Sequence, residues 1–166
     1  MTVVFATNQD LAPARLREVF GTFPTGVVAV AAQVDGLLTG LAASSFTSVS
    51  LVPPLVSFSI AATSRTWPDL RRAGRLGVTI LAQHHGGLAR QLAGPAEHRF
   101  DGVPVHVTEQ GAVTVDGGIA HFDTSLYREV EAGDHVIVLL ELHAVGDRAP
   151  EAGRPLVFHR SGFTRV

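Results

Sequence analysis

From Gly26 to Val34 the chain is nearly all Val and Ala, and a second apolar run, Leu37 to Ala43, follows the pair Asp35-Gly36. Side chains branched at Cβ favour the pleated strand. An Asp-Gly pair accepts the positive φ angles that a two-residue hairpin demands. The strand pattern returns in Leu55 to Ile60, Leu76 to Leu81, Ile119 to Glu131 and His135 to Val145, with a turn at Gly133-Asp134 and a last short strand from Pro155 to His159. Helical spacing is rarer. Asp10 to Phe20 puts Leu11, Ala14, Leu16, Val19 and Phe20 on one face, tolerates Pro13 in its first turn and stops at Gly21. Ser64 or Thr66 caps a short helix that runs through Ala73 to a stop at Gly74. His84 to Leu92 is a third helix, weakened by Gly86-Gly87. Residues 1–9 read as a loose arm, Gly94 to Val107 as a loop with a short extended end, and Gly146 to Arg154 as a turn-rich loop. Strands that follow one another by hairpins predict a mainly β protein with a few helices, an antiparallel barrel rather than a parallel doubly wound sheet. No repeat or linker interrupts residues 1–166, which predicts a single domain.

Composition narrows the function. A hydrophobic share of 46% against 17% charged residues is enough for a sizeable core. With 13 basic and 15 acidic residues the net charge is −2, so there is no electrostatic footprint for nucleic acid and no polybasic membrane patch. All thirteen basic residues are Arg, which reads as codon bias. No apolar run reaches membrane-spanning length and no signal peptide is visible, so a cytoplasmic protein is expected. The absence of Cys removes disulfides, thiolate catalysis and Cys-held metals. No two His stand at i, i+4, and the adjacent His84 and His85 are expected to point apart, so no metal site is expected. There is also no Gly-x-Gly-x-x-Gly, no phosphate loop and no Gly-x-Ser-x-Gly elbow.

The most informative stretch is Thr39-Gly-Leu-Ala-Ala-Ser-Ser-Phe-Thr-Ser-Val-Ser-Leu-Val-Pro-Pro-Leu-Val-Ser-Phe58. It sets small hydroxyls between two apolar runs. Such residues offer donors and acceptors while letting a ligand approach the backbone, which suits a flat heterocycle with a sugar-like tail. Pro53-Pro54 is expected to stop pairing and force an extended exit. A polar barrel rim with locally bonded hydroxyls is the plainer reading. Ser64-Arg65-Thr66-Trp67 ahead of a helix joins amide donors, a guanidinium and hydroxyls into a phosphate site that needs no glycine loop.

This stretch resembles the signature of the flavin reductase-like family, the NAD(P)H:flavin oxidoreductases that supply reduced flavin to two-component monooxygenases. Phe20-Gly-Thr-Phe-Pro-Thr-Gly-Val-Val-Ala-Val30, Ser64-Arg-Thr-Trp-Pro68, Gly133-Asp-His135 and Pro155-Leu-Val-Phe-His-Arg160 follow in the family's order, from about Leu16 to Arg160. The resemblance implies a Greek-key split β-barrel of the FMN-binding type that dimerises. It implies that Ser44, Ser45, Phe46, Thr47, Ser48, Ser50 and Leu51 line the flavin, FMN or FAD, and that Ser64, Arg65 and Thr66 hold its phosphate. Arg99, in Glu97-His-Arg-Phe100, reaches a phosphate or an adenylate. His135 contacts the nicotinamide of NADH or NADPH, and Phe158, Arg160 and Phe163 lie along the dinucleotide. No residue is expected to act as a catalytic acid or base, since hydride transfer needs alignment alone. Two departures stand out. Phe163 replaces a common Tyr and removes a hydroxyl, and Thr79 replaces a common Asn, so that a pocket-facing amide is missing.

The expected partners are the flavin, the dinucleotide, an oxygenase component and a second copy of the chain. The alternative is a split barrel that binds flavin or another planar cofactor without turnover. The absence of an evident Arg cluster for a 2′-phosphate leans to NADH.

Overall fold

The computed structural model describes residues 11–146 and 153–164; the expected arm at 1–9 and most of the Gly146–Arg154 loop lie outside them. The chain runs α1 (Pro13–Phe20), β1 (Thr25–Gly26), β2 (Val28–Val34), β3 (Leu37–Ala43), β4 (Thr47–Leu51), β5 (Pro54–Ala61), α2 (Trp67–Leu70) and β6 (Leu76–Ile80). It continues through α3 (Gly86–Leu92), β7 (Val105–Val107), β8 (Val113–Val115), β9 (Ala120–Ala132), β10 (His135–Gly146), β11 (Val157–His159) and β12 (Gly162–Thr164). Seven strands form one antiparallel sheet in the order β3-β2-β6-β9-β10-β5-β4, joined by a small sheet β1-β11-β12 and the pair β7-β8. The sheet does not close by a ladder. Its edges, β3 and β4, are linked by Ser44-Ser45-Phe46, and the Ser45 hydroxyl accepts from the Ser59 N–H at 2.8 Å and lies 3.1 Å from the Ser59 carbonyl. The expected antiparallel split barrel is therefore present as an open sheet whose edge strands are joined by a linker that Ser45 ties to β5.

Two hydrophobic clusters share β2. Val28, Val30 and Ala32 point to one side with Leu41, Val56, Phe58, Leu70, Leu76, Val78, Val138 and Leu140. Val27 and Ala29 belong to the other side with Leu81, Ala89, Leu92, Val115 and Leu156. This double burial explains why the β2 run reads as unbroken Val and Ala rather than as an alternation. Each fully buried Leu or Phe contributes about 1.5–3 kcal/mol by leaving water. The second cluster requires β8 to lie on β6. A Cβ on Gly77 would collide with the Val113 backbone, so only glycine allows that approach. Thr79 is fully buried beside it, and its hydroxyl accepts from the Val115 N–H at 2.9 Å. Thr79 thus serves strand docking and does not face a pocket, which corrects the expectation of a missing pocket-facing amide.

Several local expectations change. Pro53-Pro54 does not end pairing: Leu51 pairs with Pro54 across a tight turn, and the Val52–Pro53 peptide is cis. The helix after Ser64 is a single turn, Trp67–Leu70. Gln83–His85 is a 3₁₀ turn leading into α3, and the His84 and His85 rings lie 4.0 Å apart instead of pointing away from each other. No residue of α1 is buried, and Leu11, Val19 and Phe20 are exposed, so the helix's apolar stripe is not used by either cluster. β8 and β12 were not foreseen; both are three-residue strands.

Candidate functional site

A cleft of about 830 Å³ opens between β3, the turn before α2 and the loop after α3. Thr39, Gly40, Arg65, Thr66, Gly94 and Arg99 are among its lining residues. Local structure explains how they meet. Ser64 accepts the Trp67 N–H at 3.2 Å, which fixes the turn carrying Arg65 and Thr66. Trp67 anchors that turn in the core: its ring meets Phe58 edge-on at 5.7 Å, and its indole N–H donates to Glu129 at 2.6 Å. The Gln91 carboxamide donates to the carbonyls of His98 and Asp101, both at 3.0 Å, and so holds the loop that carries Arg99. Phe100 then packs its ring over Gly40, where a Cβ would come within 2.7 Å of it.

The two arginines of the cleft differ. Arg99 donates from Nε to the Gly94 carbonyl at 2.9 Å, and from Nη1 to the Gly40 carbonyl at 2.8 Å and to the Thr66 hydroxyl at 2.7 Å. It is a strut joining three walls. Arg65 is exposed and makes no side-chain hydrogen bond or ion pair among the described residues, so its guanidinium is free for a ligand. α2 has only one turn and Ser64 accepts the Trp67 N–H, so the unengaged guanidinium at the expected phosphate site is that of Arg65.

The hydroxyl segment lies farther along the same edge. Ser44, Ser45, Thr47 and Ser48 are exposed, Ser50 is half-buried, and Leu51 projects into solvent. None of them lines the cleft. Ser45 is committed to Ser59, and the Thr47 hydroxyl lies 3.3 Å from the Ser48 carbonyl. The hydroxyls of Ser44, Ser48 and Ser50 bond to nothing among the described residues. Phe46 turns inward, stacking on Phe122 with centroids 6.3 Å apart and packing against the first cluster.

The residues expected along the dinucleotide lie on two sheets, His135 on the large one and Phe158 and Phe163 on the small one. His135 opens β10 opposite Ala61, is exposed, and shares a 2.7 Å hydrogen bond with Asp134. That bond, with the attraction of the imidazole and a smaller contribution from Arg17, holds the Asp134 carboxyl below its ordinary range. Phe158 and Phe163 face each other across β11 and β12 at 5.5 Å and pack against the second cluster, and Arg90 lies 5.1 Å above the Phe163 ring. Arg160 occupies the turn between those strands. Among the described residues no cluster of three His, Cys, Asp or Glu side chains could hold a metal.

Residues 20–166 match the family described as "Flavin reductase like domain". The chain belongs to the flavin reductase-like family. It is 37% identical over 152 residues to a flavin reductase of Pseudomonas putida, covering 91% of this chain and 88% of that protein. It is 32% identical over 154 residues to the reductase subunit HsaB of a flavin-dependent monooxygenase of Rhodococcus jostii, covering 93% and 78%. Among solved structures it superposes on the NADH:FAD oxidoreductase SgcE6 of Streptomyces globisporus, in complex with NAD and FAD fragments, with a TM-score of 0.88, 32% identity and coverage of 99% and 97%. The family, the fold and a flavin oxidoreductase activity read from the sequence are borne out, and a flavin reductase accounts for these relatives where a binder without turnover does not. Among the described residues no helix is long and apolar enough to cross a membrane.

Proposed function

We propose that this flavin reductase takes FMN or FAD from solution, reduces it with NADH or NADPH, and releases it to the oxygenase component of a two-component monooxygenase in the cytoplasm. The observation that carries the site assignment is the unpartnered Arg65 beside Thr66 at the mouth of the cleft, on the same strand edge that leads to the free hydroxyls. Gly40 to Ser44 spans about 13 Å at strand rise. An elongated ligand with an anionic end and a planar polar ring fits that span. In this reading Arg65 and Thr66 take the phosphate, and Ser44, Ser48 and Ser50 face the ring and its ribityl chain, with Ser45, Phe46, Thr47 and Leu51 shaping that wall. Arg99 positions Thr66: the Thr66 oxygen accepts from Arg99, so its own proton is left to donate to the ligand.

The flavin, when bound, supplies the hydride acceptor. The chain contributes alignment and neutral dipoles, and no acid or base is needed. His135 donates to the nicotinamide carboxamide, with Asp134 orienting its ring. Phe158 and Phe163 form the wall behind Arg160. We also read the chain as one domain that acts as a homodimer, since Val19, Phe20 and Phe23 at one end and Leu51 and Val52 at the β4–β5 turn expose large apolar groups.

Mixing the protein with FMN or FAD and either dinucleotide, and following absorbance at 340 nm, tests the activity. Oxidation that depends on added flavin is the expected result, and none with any pair would refute it. Separate fluorescence titrations with FMN and FAD rank the flavins. Arg65→Ala should weaken both about tenfold, and unchanged affinity would remove Arg65 from the site. Light scattering should give twice the chain mass, and a monomer would reject the dimer.

A further inference from the structure

Residues 153–164 form a strap: β11, a turn at Arg160-Ser161 and β12. β11 pairs with the two residues of β1, and the Arg160 N–H donates to the Gly21 carbonyl at 2.7 Å. The turn itself is strained, since Arg160 and Ser161 hold φ of 48° and 62°, in the left-handed region that side chains disfavour. A further attachment is the segment Leu81–Gln83. There the Leu156 N–H donates to the Leu81 carbonyl and the Gln83 N–H to the Arg154 carbonyl, both at 2.8 Å, with Ala82 bridged to Pro155 between them.

One side chain closes that segment. Strand alternation turns the polar groups of Ala82 away from the strap. The Ala82 N–H donates to Nδ1 of His85 at 3.1 Å, and the His85 N–H donates back to the Ala82 carbonyl at 2.9 Å. Both residues are buried, so breaking the first bond leaves a buried donor unpaired. A neutral ring that accepts at Nδ1 carries its proton on Nε2. A second proton would set N–H against N–H. The imidazolium then offers Ala82 no acceptor, and the ring must leave the turn.

The groups around the ring decide when that happens. On its own turn His84 lies 4.0 Å away, ring to ring. β9 supplies His121, whose Nε2 lies 2.9 Å from the Val115 carbonyl. The β8–β9 turn supplies Asp116, and the loop before β7 supplies Asp101, which is 2.8 Å from His98. Both carboxylates border, with His85, a cavity of about 210 Å³, to which α3 contributes Leu88 and the neutral Gln91. The strap meets the start of α3 through Leu156 and Phe163. Burial first and His84 second push the His85 pKa below 6.5; the Asp116 backbone pulls the other way, and His121 adds a smaller push. The neutral, closed turn is therefore fully favoured above pH 6.5 and loses ground as the pH falls below it.

We propose that His85 is a pH-sensitive latch: on taking up a proton it lets go of Ala82, frees Leu81–Gln83 from Arg154–Leu156 and loosens the β11–β12 strap. The latch is a property of the fold. Its effect on function rests on the reading above, in which Phe158, Arg160 and Phe163 lie along the dinucleotide, so that acid weakens the hold on the reductant.

Native-state hydrogen exchange at pH 7.5 and 5.5, corrected for the intrinsic pH dependence of exchange, tests the latch. It needs neither flavin nor turnover, so its failure is separate from a failure of the reductase reading. The reporters are the Gln83 and Leu156 amides, with Val30 and Val138 marking the core of the large sheet. Protection at the reporters should lie below that at Val30 and Val138 at both pH values and fall about fivefold on acidification. His85→Gln keeps an acceptor for the Ala82 N–H and cannot titrate, so its reporters should change less than about twofold. His84→Gln should retain the fall. Nitrogen NMR of the parent at pH 7.5 should show His85 protonated on Nε2 alone, a result that needs no variant to fold. The opposite tautomer, an equal fall in His85→Gln, a fall lost with His84 instead, or reporters that open only together with Val30 and Val138 would each overturn the proposal.

Discussion

Arg99 Nη1 donates to the Thr66 hydroxyl at 2.7 Å while the same guanidinium holds the carbonyls of Gly40 and Gly94. An arginine that the sequence offers as a phosphate ligand thus spends its donors on the protein. Arg99→Ala leaves two carbonyls and a hydroxyl unpaired, and urea unfolding should show a loss of about 2 kcal/mol. Arg99→Lys should recover little, because an ammonium cannot span the fork. Thr66→Val, by contrast, should leave stability within about 1 kcal/mol and weaken flavin binding several-fold. Equal stability losses for Arg99→Ala and Thr66→Val would deny the strut.

Ser45 and Ser59 make the corresponding contact between the β3–β4 linker and β5. Ser45→Ala removes the acceptor for the Ser59 N–H. The site is exposed, so the expected loss is about 1 kcal/mol. Amide exchange at Ser59 should quicken at least tenfold, whereas unchanged exchange would show that the linker is held elsewhere.

Gly77 admits no side chain, since its Cβ position is taken by the Val113 backbone. Gly77→Ala should force β8 off β6 and cost about 3 kcal/mol or more, at the upper end of overpacking penalties. Thermal unfolding reads this directly. A melting temperature within a degree or two of the parent would mean that β8 is not docked as described.

His85 gives the protein a pH dependence. The ring is buried, its Nδ1 accepts the Ala82 N–H at 3.1 Å, and burial followed by the neighbouring His84 pushes its pKa below the ordinary value of 6.5. The unfolded chain takes up a proton near pH 6.5 while the folded chain resists it. Stability is therefore full above that pH and falls as the pH drops below it. Melting temperatures measured from pH 7.5 to 5.5 should decline more steeply in the parent than in His85→Gln. Parallel curves would remove His85 as the source.

Much of this architecture could be read from residue order alone. Asp35-Gly36 has φ of 51° and 80°, the two positive values that its chemistry predicts, and the Gly133-Asp134 turn joins the two long strands β9 and β10. Those signals are local, and local signals survive folding. What escaped was set by contacts distant in sequence. β8 exists because Gly77 and Thr79, 36 positions before its Val115, accept it. Ser45 looked like its neighbours Ser44 and Ser48, yet of these three only its hydroxyl bonds to β5 among the described residues. Arg17 read as one polar position on an amphipathic helix, and only the approach of the β11–β12 turn sets it across a cavity from Arg160.

That turn has a practical consequence. Exchanging Arg160-Ser161 for Asn-Gly would relax the backbone and harden the enzyme against heat. On the proposed assignment of Arg160 to the dinucleotide, the same exchange would loosen its hold on the reductant. Thermal robustness and thrift with the electron donor are set against each other within one hairpin.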